Sequence, residues 1–317
     1  MIRPNKAIVI FLISAVAIIL IEFGLYRRYT TTADQKKKVS VVVYDEGKNW
    51  QNLKAGADLA AEAEGCEVTY ITLDSNQDAA AQYEIIENEL NQDIDAVLVA
   101  AVNSEELGER FSDTRYKNLV FIQNGIDSDK YVTVSPDNYQ MGVDIAKLII
   151  ENEDEINSIA TIYYDDTKEY IDKRFSGIED GLSNTSYELK KWTRLAAEDD
   201  IYGLTLSYMK NDNADVLVVL NDEVLGQVMK AVSDSGQEVV VYAIANSDEA
   251  VYYLDSKKIK YLVFPDEFGI GYAAMKSVLS PDDYKKADYN KIITYKEVNR
   301  GDMYSGEYEK VLFPFVK

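Results

Sequence analysis

From Lys38 onward two hydrophobic rhythms alternate along the chain: short apolar runs, and longer stretches whose apolar positions recur three and four residues apart. The runs "VSVVVY" (39–44), "CEVTYITL" (66–73), "IDAVLVAAV" (94–102), "KNLVFIQN" (117–124) and "DKYVTVSP" (129–136) have the length and β-branched content of strands. Between them, 50–65, 79–92 and 104–113 carry helical spacing. The second half repeats the scheme, with helices over 139–153, 168–182, 201–210, 222–235, 247–257 and 266–279. Its strands are "SIATIYY", "YELKKW", "DVLVVL", "EVVVYAI", "KYLVF" and the late "NKIITYKEVN".

Continuous Val/Ile/Leu strands separated by amphipathic helices predict parallel sheets covered on both faces. The strands are too many for one domain of ordinary size, and the series divides near residue 135. The expected fold is therefore α/β, with two Rossmann-like lobes. Ligands of such sheets bind beyond the carboxyl ends of the strands, so the residues directly after each strand are the ones to examine.

A different pattern opens the chain. Ala7 to Tyr26 is almost wholly apolar, broken by Glu22 and flanked by Arg3 and Lys6 before it and Arg27-Arg28 after it. That is about one bilayer crossing. A cleaved signal peptide has a shorter core and a small-residue site just behind it; the nearest such site here is Thr31-Thr32-Ala33. Residues 1–28 thus read as a single-pass membrane anchor, with a signal segment as the alternative, and 29–37 as a linker. A short N-terminal tail that stays inside places the main domain on the extracytoplasmic side.

Composition narrows the chemistry. The net charge is −22, from 55 acidic against 33 basic side chains, which argues against nucleic acid as a partner. Histidine is absent, removing the commonest general base and most zinc sites. The single cysteine, Cys66, has no disulfide partner in the chain and stands beside Glu64 and Glu67, a poor setting for a thiolate. Neither a P-loop nor a G-x-G-x-x-G follows the first strand, where "YDEGKN" stands instead. Paired acids such as Asp165/Asp166 are commonplace on loops. No enzyme, metal or cofactor is expected.

Several segments in order resemble the type I periplasmic-binding-protein-like family, which includes ribose- and galactose-binding proteins and the ligand cores of LacI-type repressors. "KNWQNLKAGA" is similar to the family's first-strand exit, and "VTVSPDNYQMGVDIAKLI" to its crossover D-N-x-x-x-G segment. "KRFSGIEDGL" and "VVLNDEVLGQVMKAV" follow its R-x-x-G-F and N-D-x-x-A-x-G-A elements. The resemblance implies two lobes joined by a three-crossing hinge that close over a small ligand. Lobe 1 would take about 38–135 plus 265–288, and lobe 2 about 136–264 plus 289–317.

By that resemblance Trp50 takes the aromatic position after the first strand, with Asn49 and Glu46 in the same loop; packing within the lobe is the alternative for Trp50. Asn221 matches a ligand-contacting Asn, with Asp222 placed to cap the following helix. Asp137 matches the crossover position, with an N-cap for the next helix as its alternative. Asn124, Tyr164, Asp166, Asn246 and Asp266 complete the expected ligand-binding set. Departures stand beside these matches: Gly125, Asp172, Ala245 and Pro265 replace the family's charged or amide positions, and its arginines above all are missing.

The resemblance implies an extracytoplasmic solute-binding protein of sugar-receptor type, presenting a polar solute to an ABC permease or to a membrane sensor histidine kinase. The aromatic and acidic residues that remain also suit a cationic ligand. The alternative is an interaction or sensory module of the same fold that has lost sugar binding and contacts a partner protein.

Overall fold

The computed structural model describes residues 17–23, 36–44, 48–74, 77–113, 116, 118–126, 128, 130–163, 168–193, 200–281, 293–306 and 308. The expected membrane segment, Ala7 to Tyr26, lies mostly outside them; its described part, 17–23, is helical and exposed. Among the described residues no helix is long and apolar enough to cross a membrane.

Two sheets carry the chain. In the first, β1 (Lys38–Val43), β2 (Glu67–Thr72), β3 (Ala96–Val99), β4 (Leu119–Ile122) and β5 (Val132–Val134) run in the order β2-β1-β3-β4-β5, with every pair parallel. The second holds β6 (Ser158–Tyr163), β7 (Glu188–Thr193), β8 (Val216–Val219), β9 (Val240–Ile244), β10 (Tyr261–Pro265) and β11 (Tyr295–Asn299), in the order β11-β10-β9-β8-β6-β7. Its first five strands repeat the winding of the first sheet. The late strand β11 differs from the all-parallel expectation, because it pairs antiparallel to β10.

The helices are α1 (Lys48–Glu64), α2 (Ala79–Leu90), α3 (Ser104–Arg110), α4 (Asn138–Asn152), α5 (Glu169–Leu182), α6 (Ile201–Asn211), α7 (Leu225–Ser235), α8 (Asp248–Asp255) and α9 (Glu267–Leu279). Each sheet is buried on both faces. In the first lobe Val39, Val41 and Leu98 pack toward α1 and α9, while Val97, Val99 and Phe121 pack toward α2 and α3. In the second, Ile159, Val216 and Tyr242 face α4 and α5, and Leu217, Val219 and Ala243 face α6 to α8. Two-faced burial is why these strands read as unbroken apolar runs.

Both lobes close one sheet face with a tightly crossed helix pair. On α1 and α9, a Cβ at Gly56 would overlap the carbonyl oxygen of Phe268, and one at Gly271 that of Leu53. On α4 and α5, Gly142 and Gly177 stand in the same relation to the carbonyls of Arg174 and Tyr139. Only glycine lets two backbones approach this closely. Helix α9 follows β10 of the second sheet but completes the first lobe, so the chain crosses between lobes after β5 and after β10 and returns as β11.

Candidate functional site

At the carboxyl ends of the strands, where parallel sheets present loops to ligands, a cavity of about 30 Å³ lies between the lobes. The first sheet sends Gln123 into it from the end of β4, and α9 sends Glu267 from its first turn. The second lobe lines the rest with Tyr170, Arg174, Asn221, Asp222, Glu223 and Asn246.

Gln123 enters through a turn. Its φ is +59°, and the Asn124 amide bonds the Ile122 carbonyl at 2.6 Å, closing a three-residue loop around it. A bulky residue held with positive φ costs on the order of 1–3 kcal/mol, a strain that clusters at functional sites. The turn frees the Gln123 side chain from the strand's alternation, and its Nε2 donates to Glu267 Oε1 at 3.1 Å.

Glu267 is 3% exposed. Burial raises its carboxyl to about 8 against the opposing pull of Arg174, with Asp266, Glu223 and Asp222 adding to the rise. Arg174 is buried too, and the same desolvation lowers its own pKa. Its Nε donates to Asn138 Oδ1 at 2.9 Å, its Nη1 to the Leu220 carbonyl at 2.6 Å, and its guanidinium lies 4.5 Å from the Tyr170 ring centre. This arginine, the one that matches the R-x-x-G-F element, thus forms part of the cleft wall. The close α4–α5 crossing at Gly142 brings Asn138 within its reach.

Among the described residues, three buried side-chain atoms lack a hydrogen-bond partner: Gln123 Oε1, Asn246 Oδ1 and Glu267 Oε2. All three residues line this one cavity. Buried polar atoms are almost always paired, so their convergence marks a place built for hydrogen bonds from outside the chain.

The expected ligand residues divide. Asn221 and Asn246 line the cavity; Asn221 is 3% exposed and donates from Nδ2 to Glu223 Oε2 at 2.8 Å. Asn124 points away, joining the Ala101 carbonyl at 2.6 Å and the Ser104 hydroxyl at 3.1 Å behind the strand ends. Asp137 is exposed and caps α4 by accepting from the Gln140 amide, and Asp266 caps α9 through the Gly269 amide. Trp50 is 7% exposed in the first lobe's core, edge-on to Tyr44 with ring centres 5.3 Å apart. Tyr164, Asp166 and Glu46 lie outside the described residues, as does the side chain of Asn49. Asp222 does not cap its own helix: its carboxylate accepts from the Asn246 and Ser247 amides at 3.0 and 2.8 Å, binding the β8 exit to the β9 exit.

Further contacts span the cleft. Lys168, at the start of α5, donates to the Val102 carbonyl of the first lobe and sits 4.2 Å from the centre of the Tyr44 ring. Beside it, the Glu169 amide donates to Ser104 Oγ at 3.1 Å. The lobes are closed on one another.

Residues 39–280 match the family of periplasmic binding protein domains. A comparison with curated proteins gives no match. Among solved structures, the chain is similar to a carbohydrate transporter solute-binding protein from Agrobacterium radiobacter in complex with D-arabinose. That likeness has a TM-score of 0.76 at 19% identity, covering 88% of this chain and 99% of that one. The Caulobacter myo-inositol binding protein bound to myo-inositol gives 0.73 at 16%, covering 87% and 98%. A chain of the XylFII–LytSN complex gives 0.71 at 16%, covering 84% and 99%.

Proposed function

The chain belongs to the periplasmic binding protein domain family, and on that premise we propose that it binds a small, hydroxyl-rich solute between its two lobes. Proteins of this family bind rather than catalyse. Three unpaired polar oxygens facing one interlobe cavity carry the reading. Sugars and cyclitols supply hydroxyl donors of the kind these atoms lack, and similar structures hold D-arabinose and myo-inositol. Hinge closure follows if the ligand contacts both lobes, stabilising the closed form by the difference in its affinity for the two.

In this reading residues 1–28 hold the protein at the membrane, 29–37 tether it, and the two lobes work on the extracytoplasmic side. Lobe 1 takes about 38–135 plus 265–288 and lobe 2 the remainder. The loaded domain is presented to an ABC permease or to a sensor kinase.

Titration calorimetry against pentoses, hexoses and inositols tests the binding, with tryptophan fluorescence in parallel. Trp50 packs on Tyr44, and Tyr44 holds Lys168 of the opposite lobe, so lobe movement reaches the indole. Saturable heat together with a fluorescence change is expected, and silence in both across the panel refutes the proposal.

A second reading has its own support. The Lys168 and Glu169 contacts shut the cleft with protein groups alone, down to about 30 Å³. A sensory module that contacts a partner protein without a small ligand fits that closure, and the likeness to a chain of the XylFII–LytSN complex supports a partner protein.

A further inference from the structure

The cavity between the lobes is unbalanced in both its hydrogen bonds and its charge. Its unpaired atoms, Gln123 Oε1, Asn246 Oδ1 and Glu267 Oε2, are all oxygens. Several donors beside them run to protein acceptors: Gln123 Nε2 to Glu267, Asn221 Nδ2 to Glu223, and Arg174 Nε and Nη1 to Asn138 and Leu220. Among the described residues the acidic side chains of the lining, Asp222, Glu223 and Glu267, outnumber its one base, Arg174.

A hydroxyl donates one hydrogen bond and brings two lone pairs that need donors of their own, whereas an ammonium donates three and accepts none. Two unpaired amide oxygens, a carboxyl oxygen that becomes an acceptor once Glu267 gives up its proton, and an excess of acidic groups match the second group. Resting on the reading that a small polar solute binds here, we propose that this solute carries a protonated amine beside its hydroxyls. The ammonium is seated among Gln123 Oε1, Asn246 Oδ1 and Glu267 Oε2.

Size agrees. About 30 Å³ exceeds the roughly 10–15 Å³ needed for one water-sized group. At this size the cavity takes an ammonium-sized group, and the rest of the ligand is admitted as the lobes part. The groups facing Glu267 are Arg174, Asp266, Glu223 and Asp222, and burial holds its carboxyl near 8. At neutral pH an arriving cation converts this carboxyl to carboxylate, and the displaced proton passes to the buffer. A neutral polyol gives it no reason to ionise.

The test compares 1-amino-1-deoxysorbitol with sorbitol, and glucosamine with glucose, by titration calorimetry of the full chain at pH 7. Each titration is run in two buffers of different ionisation enthalpy. The amine of at least one pair should bind ten-fold or more tighter than its neutral partner. Its heat should differ between buffers, reporting released protons, while the neutral partner's heat does not. In Glu267→Gln the preference should fall to within about two-fold and the buffer dependence should vanish.

Equal or tighter binding of the neutral partners overturns the amine assignment and leaves the solute-binding reading standing, with a water filling the cavity. An amine preference that Glu267→Gln leaves intact overturns the assignment of the seat. Absence of binding by these compounds and by the neutral sugars and inositols overturns both readings.

Discussion

Glu267 makes a quantitative prediction about pH. Its carboxyl sits near 8 in the folded protein, against 4.5 for an ordinary glutamate. Between those values the folded chain binds a proton that the unfolded chain has released, so stability declines as pH rises through the window and levels off above about 8. At about 1.4 kcal/mol per unit the whole window is worth on the order of 5 kcal/mol, an upper bound because parting lobes would hydrate the carboxylate. For a chain of this size a kilocalorie moves Tm by about 2 °C, so the full effect approaches ~10 °C. Glu267→Gln keeps the shape and removes the titration. Thermal unfolding followed by circular dichroism from pH 5 to 9 should show wild type falling relative to the variant, most steeply between about 5 and 8. Taking the difference cancels groups common to both proteins, such as Glu297, whose carboxyl burial also raises. Parallel Tm curves would refute the placement of Glu267 as a buried, unpaired acid.

Three further predictions concern the framework of the two lobes. Gly142→Ala drives a methyl into the Arg174 carbonyl, which should cost about 3 kcal/mol or more and loosen the Asn138–Arg174 bond; urea denaturation measures the first. Asn124→Ala strands the Ala101 carbonyl and the Ser104 hydroxyl behind the strand ends, a loss of about 2–3 kcal/mol by the same assay. Asp215, held low by the Asn157 and Ser158 amides, lends stability above its unfolded pKa that disappears as pH drops through its folded one. Asp215→Asn should therefore destabilise at pH 7 and converge with wild type near pH 2 in a Tm series.

Much of the scaffold was legible because parallel strands buried on both faces leave unbroken apolar runs, and the helices between them keep their spacing. The site was legible in part: Asn221 and Asn246 line the cavity as expected, while other positions were legible only to within a residue. Asn124, Asp137 and Asp266 were expected at the cavity, yet their neighbours Gln123, Asn138 and Glu267 line it or brace its arginine. Short polar side chains at strand exits compete for two tasks, capping the next helix and facing the cleft, and composition does not say which neighbour takes which. The positive φ of Gln123 has no glycine or asparagine to announce it. Arg174 was legible as part of the R-x-x-G-F element, but its reach to Asn138 depends on a crossing set by glycines on two helices. The antiparallel β11 looked like any other strand, since one strand's apolar pattern does not record the direction of its partner.

Helix α9 supplies Ile270, Ala273, Ala274, Met275 and Leu279 to a core whose other members, Ile293 apart, come from the first hundred residues of the two-lobed region. During synthesis those early residues wait for more than a hundred later ones before their apolar face is covered. The first lobe is thus completed only after most of the second has been made, and the second in turn waits for β11 to close its sheet. A nascent chain halted before α9 exposes Leu53, Ala57 and their neighbours, a surface for chaperones to hold and for proteases to find.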